Sequence, residues 1–394
     1  MKKLLFSLMI LATMNVWGQE SLVINTESRN YTTLNGTWRI IIDPLETGYY
    51  DYRYLPMDQR KNPGSDAFFT DSKATRETDR IEYDFDKSES LLVPGDWNSQ
   101  KDKLLYYEGT VWYRKKFDCP DLDRSQRYFI WFGAANYRAD VYLNGKKLGV
   151  HIGGFTPFNF EVSALLKEED NSLVVKVDNK RYREAVPTIN FDWWNYGGLT
   201  RDVKLLKVPT NFIEDYLVQL DKNDPEYITG NVILNGPMKA GQIVNVNIPE
   251  LKITALVQTD TNGKGEFRIK AKKVEYWQPG NPRLYDVEIC LDREIVRDRI
   301  GFRTIRTEGS EIILNDQKVF LKGICIHAEN PLKIGRAFSR EEAAMLLGWA
   351  RELGCNFVRL AHYPHSEHMV KLADEMGIMV WEENPVYWTI DWTN

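Results

Sequence analysis

Cysteine is scarce in this chain: four in 394 residues, at Cys119, Cys290, Cys325 and Cys355, with no paired spacing. That excludes a disulfide-framework protein and leaves free, buried thiols as the expectation. Cys325 and Cys355 fall on or beside neighbouring predicted strands, but proximity alone does not make a bridge. A basic excess is missing too. The 51 Lys and Arg against 56 Asp and Glu give a net charge of -5, which argues against a phosphate-binding surface and so against a nucleic-acid partner. Low-complexity tracts are absent, and 43% hydrophobic with 27% charged residues is a globular composition. Beyond the N-terminus no stretch approaches the length that crosses a bilayer, so no transmembrane anchor is expected.

The N-terminus itself has the three parts of an export signal. Lys2-Lys3 are the positive region, Leu4 to Met14 the apolar run, and Val16-Trp17-Gly18 a cleavage site ending on a small residue. The expectation is a cleavable signal peptide over residues 1–18 and a secreted or periplasmic protein; a buried first strand is the competing reading. What the chain has in abundance is aromatic residues, with 12 Trp, 20 Tyr and 17 Phe. Most must build core, but aromatic faces also stack on the apolar C–H surface of sugar rings.

From Tyr31 to Val208 helical periodicity is almost lacking, and short strands alternate with turns. Val141-Tyr142-Leu143 and Lys147 to Val150 flank Asn144-Gly145, a dipeptide suited to the positive φ angles of a tight hairpin. Arg127 to Phe132 and Ser172 to Val177 read as further strands, and the segment 19–208 is expected to be a β-sandwich of jelly-roll type. A second β block, 209–304, has strands at Ile253 to Val257 and Phe267 to Ile269 around Thr261-Asn262-Gly263, then Leu284 to Cys290 and Val296 to Phe302. Its length suits an immunoglobulin-like β-sandwich.

After Thr304 the pattern changes. Val319 to Ile326 is a nearly continuous apolar run, expected for a strand buried on both faces. Ser339 and Glu342 make a capping-box pair at the start of a helix whose apolar face is read as Leu346, Trp349, Ala350 and Leu353, with Gly354 as its stop. Phe357 to Leu360 is the next strand. Ser366 caps a second helix ending at Gly377, and Ile378 to Trp381 is the third strand. Strand-helix-strand-helix-strand implies parallel pairing with right-handed crossovers. About 90 residues are far fewer than the roughly 250 of a closed eightfold barrel, so 305–394 is expected to be the first three strands of an incomplete (β/α)8 TIM barrel. A complete small α/β domain is the competing view.

A run of motifs then carries a specific resemblance. Leu34-Asn35-Gly36-Thr37-Trp38, Val93-Pro94-Gly95-Asp96-Trp97, Tyr107-Glu108-Gly109 and Trp112-Tyr113-Arg114 come first. Asn136 to Asn144, Asp192 to Arg201, Trp277-Gln278-Pro279, Gly301-Phe302-Arg303, Lys322-Gly323 with His327, and Arg359 with His362-Tyr363-Pro364 follow in order. In this order they resemble glycoside hydrolase family 2, the family of β-galactosidases, β-glucuronidases and β-mannosidases. The resemblance spans everything after the signal peptide and implies the same order of sandwich, immunoglobulin-like domain and barrel.

It also implies a retaining exo-β-glycosidase acting on a carbohydrate, with one glutamate as acid/base and another as nucleophile about 5–5.5 Å apart. The family places these after the fourth and seventh barrel strands. No residue of this chain is therefore named as catalytic, and the 394-residue chain is expected to be inactive. By resemblance, Asp192, His327 and His362 contact or orient the sugar, while Arg359 and Glu383 support the site. Arg359 and Glu383 as a buried ion pair, and Asp192 as a cap on the Gly197-Gly198 loop, are the plainer alternatives. Trp193 or Trp194 could form a stacking wall. Glu382 and Glu383 are adjacent on a strand and point to opposite faces, which excludes them as a catalytic pair.

His362, His365 and His368 do not share a helical face, so a zinc site on them is not expected. No cofactor is implied with certainty; some family members hold magnesium or sodium near the site, where Glu382 or Glu383 would contribute. Many assemble, so a homo-oligomer is an open expectation for the full-length protein. A non-catalytic carbohydrate-binding protein using the β-sandwich, and a metal-dependent hydrolase built on the histidines, are the other functions weighed.

Overall fold

The computed structural model describes residues 21–73, 75–78 and 83–388. The expected signal peptide lies outside the described residues. Among them, no helix is long and apolar enough to cross a membrane.

The first sandwich packs a six-stranded sheet on a four-stranded one, with non-sequential neighbours in both, as in a jelly roll. Asn144 and Gly145 take φ of 52° and 75°, the left-handed pair that closes the 138–152 hairpin. The strand Thr110–Phe117 shows why so many aromatics are needed. Val111 and Tyr113 face the core between the sheets, while Trp112 faces a second apolar cluster made by Tyr49, Met57, Phe69 and Phe85. Tyr49, Met57, Phe69 and Phe85 thus cover the sheet's outer side.

Several of the motifs turn out to be joints of this scaffold. The Trp38 indole donates to the Leu34 carbonyl at 2.8 Å, and Asn35 accepts from the Val203 amide at 2.9 Å. The Trp112 indole donates to Asp43 at 3.0 Å, and Arg114 pairs with Asp71 and Asp86. Each satisfies a polar atom that the surrounding apolar core would otherwise strand.

The second block is a three-stranded sheet facing a four-stranded sheet over a core that includes Val232, Val246, Ile289 and Phe302. It docks on the first sandwich through the Arg29–Glu294 pair (2.9 Å) and on the barrel through Trp277. The Trp277 indole is buried and donates to the Asp374 carbonyl at 2.8 Å.

The barrel portion has three parallel strands, Gly323–Ile326, Phe357–Leu360 and Met379–Glu382, with helices Arg340–Glu352 and Glu367–Met376 between them. The capping box at Ser339 and Glu342 is present in both directions, and Gly354 and Gly377 take φ of 76° and 71°. Three details differ from the sequence reading. The apolar run 319–326 is divided: Gln317–Val319 closes a small antiparallel hairpin sheet, and the barrel strand begins only at Gly323. The helix buries Ala343, Leu346, Leu347 and Ala350, whereas Trp349 and Leu353 are exposed, because the sheet and the second helix lie on the Leu347 side. The strands are not buried on both faces. Ile326, Val358 and Leu360 face the helices, while Cys325 and Trp381, in register with Arg359, are exposed on the other face. All four cysteines are free, but none is fully buried: Cys119, Cys290 and Cys355 are half-buried and Cys325 is exposed.

Candidate sugar-binding site

Barrel sites form at the C-terminal ends of the strands. Here His327 follows the first strand, His362 the second and Glu383 the third. The sandwich meets this rim through an aromatic cluster of Phe155, Trp193 and Tyr363, with Ala328 and, half-buried, Phe191 and Tyr387. Phe155 stacks on Tyr363 with centroids 4.2 Å apart. Polar bonds fix the junction: Arg201 donates to the Phe155 and Pro364 carbonyls (2.8 and 2.7 Å), and Asp96 accepts the Arg336 amide at 3.1 Å. The Arg336 guanidinium is buried against the faces of Phe155, Tyr196 and Tyr363.

Asp192 reaches this junction on the loop 191–198, which has no regular structure and must be held by side chains. Four asparagines do so. Asn136 donates to Asn195 Oδ1 (3.0 Å) and the Tyr196 carbonyl (2.7 Å), while Asn179 and Asn195 exchange side-chain to carbonyl bonds of 2.9 and 2.7 Å. Asn98 accepts the Gly197 amide at 2.9 Å. A Cβ on Gly197 would come within 2.1 Å of the Trp97 ring, so this position needs glycine for close approach. Asp192 is therefore not the cap of the Gly197-Gly198 loop. Its carboxylate is exposed and takes a bond from the Tyr387 hydroxyl, which holds that phenol above its usual range.

The three residues named for sugar contact come together. The His327 and His362 ring centroids are 5.2 Å apart, and Trp193 stacks on His362 at 5.8 Å. Asp192 and His327 line one cavity, and Tyr387 sits 4.6 Å from His362. Burial holds His327 below the ordinary imidazole range, with Glu329 only partly offsetting it. A neutral imidazole can both donate to and accept from hydroxyls.

Arg359 and Glu383 form a bidentate pair (Nε–Oε1 2.7 Å, NH2–Oε2 3.0 Å). The pair is half-exposed rather than buried, with side-chain exposures of 38% and 18%. Burial alone would raise the Glu383 carboxyl, but Arg359 and His362 outweigh it and hold it below its usual range. His362 Nδ1 lies within reach of both partners, at 3.2 Å from Arg359 and 3.3 Å from Glu383, so the pair orients the ring. Glu382 turns away and accepts the His365 amide at 2.6 Å; burial raises its carboxyl. Both oxygens of Glu383 are thus engaged by a guanidinium, and one oxygen of Glu382 by an amide.

The histidine trio does not converge either. His365 is buried with Nε2 on the Ala361 carbonyl at 3.0 Å, and His368 faces Asp202 at 4.0 Å. Glu27, Asp202 and His368 do cluster, but Lys204 already supplies the positive charge there by bonding Glu27. The sequence gives no role to Tyr363, Tyr387, Arg336 or the asparagines, although Tyr363, Asn136 and Asn195 lie within the motifs and Tyr387 in the segment after the third strand.

Two sandwiches, the first of which feeds a loop into the rim of a parallel barrel, are an arrangement shared with known proteins. Residues 32–209 match the sugar binding domain of glycosyl hydrolases family 2, residues 214–303 match a second domain model of that family, and residues 305–391 match its TIM barrel domain. The chain belongs to glycosyl hydrolase family 2. It is 28% identical over 314 residues to a putative beta-glucuronidase of Formosa agariphila, covering 75% of this chain and 38% of that protein. It is 28% identical over 340 residues to a beta-galactosidase of Thermoanaerobacter pseudethanolicus, covering 78% and 44%. The chain thus spans less than half the length of these two relatives. The solved structure of Bifidobacterium dentium beta-glucuronidase complexed with coumarin-3-O-glucuronide superimposes with a TM-score of 0.76 at 25% identity, covering 91% of this chain and 62% of that one.

Proposed function

We propose that this chain is the sugar-binding and barrel-entry part of a retaining exo-β-glycosidase of β-glucuronidase or β-galactosidase type, which removes terminal β-linked sugars by double displacement. The observation that carries the reading is the convergence of Asp192 from the sandwich with His327 and His362 from two barrel strands around Trp193. A carboxylate and two imidazoles beside an aromatic wall match a ring of hydroxyls with one apolar face. In such a reaction one carboxyl protonates the leaving oxygen and a second attacks the anomeric carbon. Glu382 and Glu383 take separate partners, so neither receives either role, and the 394-residue chain is assigned binding without hydrolysis. The basic and apolar start of the sequence supports export to the periplasm or the medium.

The test is a panel of chromogenic β-glycosides together with calorimetric titration of methyl β-glycosides. Binding of one terminal sugar without turnover is expected. Turnover by the purified chain would overturn the assignment of the carboxylates. Binding that survives deletion of 305–394 would favour the second reading, a carbohydrate-binding protein working through its sandwich alone.

A further inference from the structure

The cavity that contains Asp192 and His327 does not end at them. It measures about 590 Å3 and continues along the sandwich past Glu329 to Tyr106, Trp194, Glu108 and Arg181. That is space for about 20 waters, and a single hexose, with about a dozen non-hydrogen atoms, leaves much of it empty. At the sandwich end two large rings stand in water. Tyr106 is 82% exposed and Trp194 is 38% exposed, with centroids 5.6 Å apart and planes tilted by 43°. Trp193, one residue earlier, is buried towards the barrel. Consecutive tryptophans thus serve opposite ends of one pocket.

The exposed pair is also held in place. Asn98 donates to the carbonyls of Leu105 and Tyr107, on either side of Tyr106, and accepts the amide of Gly197, three residues beyond Trp194. Exposed aromatic rings on a braced backbone lose little freedom when a ligand arrives. Beside them, Arg181 pairs with Glu108 at 2.8 Å while both side chains keep about a third of their surface in water (31% and 35%). Arg181 also lies over Phe191 at 4.3 Å.

We infer that Tyr106 and Trp194 form a second sugar subsite, which takes the pyranose linked to the terminal sugar held by Asp192 and His327. The inference rests on the sugar-binding reading above and names the class of leaving group. Both rings offer apolar faces to the C–H face of a pyranose, and the Glu108–Arg181 edge offers an acceptor and donors to its hydroxyls. A flat aromatic leaving group would use the rings but leave that charged edge without hydroxyls to bind. The favoured substrate is an oligosaccharide end.

The test is calorimetric titration of the full chain with methyl β-D-galactoside, methyl β-D-glucuronide, lactose and a β-glucuronosyl disaccharide. Whichever terminal sugar binds, its disaccharide is expected to bind about tenfold tighter than its methyl glycoside, the scale of one or two aromatic contacts. Tyr106→Ala and Trp194→Ala should each remove most of that advantage and leave the methyl glycoside unchanged. Tyr106→Phe and Trp194→Phe should restore it, which a change in folding would not. Equal affinity for methyl glycoside and disaccharide, or alanine variants that keep the advantage, would overturn the subsite while leaving the terminal-sugar reading intact. If Asp192→Asn leaves methyl glycoside binding unaltered, or nothing binds the wild type, the parent reading fails and the subsite with it.

Discussion

Asn98 ties the backbone on either side of Tyr106 to the loop that carries Trp194, and replacing it by an isostere separates hydrogen bonding from shape. It is 3% exposed. Its Oδ1 accepts the Gly197 amide at 2.9 Å, and its Nδ2 donates towards the carbonyls of Leu104, Leu105 and Tyr107 at 2.9, 3.1 and 3.2 Å. In Asn98→Ala one buried N–H and the Leu105 carbonyl lose their partner, while the Leu104 carbonyl keeps the Tyr107 amide at 3.0 Å and the Tyr107 carbonyl keeps the Trp97 indole at 3.2 Å. An orphaned buried donor costs about 1–3 kcal/mol and an under-satisfied carbonyl somewhat less, so the sum is about 1–4 kcal/mol. Asn98→Asp keeps the size and the acceptor but turns an ionised oxygen towards three carbonyls. At pH 7 it should be at least as destabilising as alanine.

The sign with pH then differs between the two variants. The introduced carboxyl, surrounded by acceptors, binds its proton more tightly folded than unfolded. The folded state therefore holds more protons as pH falls, and the deficit of Asn98→Asp should shrink towards pH 4 while that of Asn98→Ala stays constant. Urea unfolding of the three proteins at pH 7 and pH 4.5, followed by tryptophan fluorescence, measures this. An aspartate variant as stable as wild type at pH 7 would refute the donor role of Asn98.

Other expectations follow from the same geometry. His151 and His365 are buried, and burial pushes them down to about 4 and about 3. Each stays neutral folded but takes a proton unfolded below about pH 6.5, so each makes stability fall as pH drops from there through the folded value. His151→Gln should remove roughly 3 kcal/mol of that loss by pH 4, seen as a flatter pH profile of Tm than wild type; parallel profiles would contradict it. Trp277→Phe removes the indole bond to the Asp374 carbonyl between the second sandwich and the barrel and should cost about 1–3 kcal/mol, read by proteolysis of the barrel portion as faster cleavage. Arg359→Lys gives up the bidentate hold on Glu383 and should weaken binding of a methyl β-glycoside severalfold through a looser His362, with little change in Tm because the pair is half-exposed. A drop in Tm with unchanged affinity would make the pair structural only.

The sequence disclosed what is decided locally. Asn144-Gly145, the Ser339–Glu342 capping box and the glycines at 354 and 377 each act within a few residues, and each sits where the pattern put it. Periodicity was less decisive for the helix 340–352, where two overlapping apolar faces competed and the packing of the sheet chose Leu347 over Trp349. The run 319–326 looked like one strand because hydrophobicity does not mark a change of sheet. Asp192, His327 and His362 could be named from motifs; Asn136 and Asn195 lie in the same motifs, but their hold on the Asp192 loop, and the part of Asn98 and Asn179 in it, could not be read there. Asn98 meets Gly197 across 99 positions, and such a hub becomes visible only when the sandwich closes.

The central claim is that a terminal sugar binds where the sandwich loop meets the barrel rim. A crystal structure of the chain soaked with methyl β-D-glucuronide and, separately, methyl β-D-galactoside tests it most directly. The expected result is density for one of them in the cavity between Asp192 and His327, with a hydroxyl pair on the Asp192 carboxylate and the ring beside His362. Density only on an outer face of a sandwich, with the junction cavity empty, would contradict it.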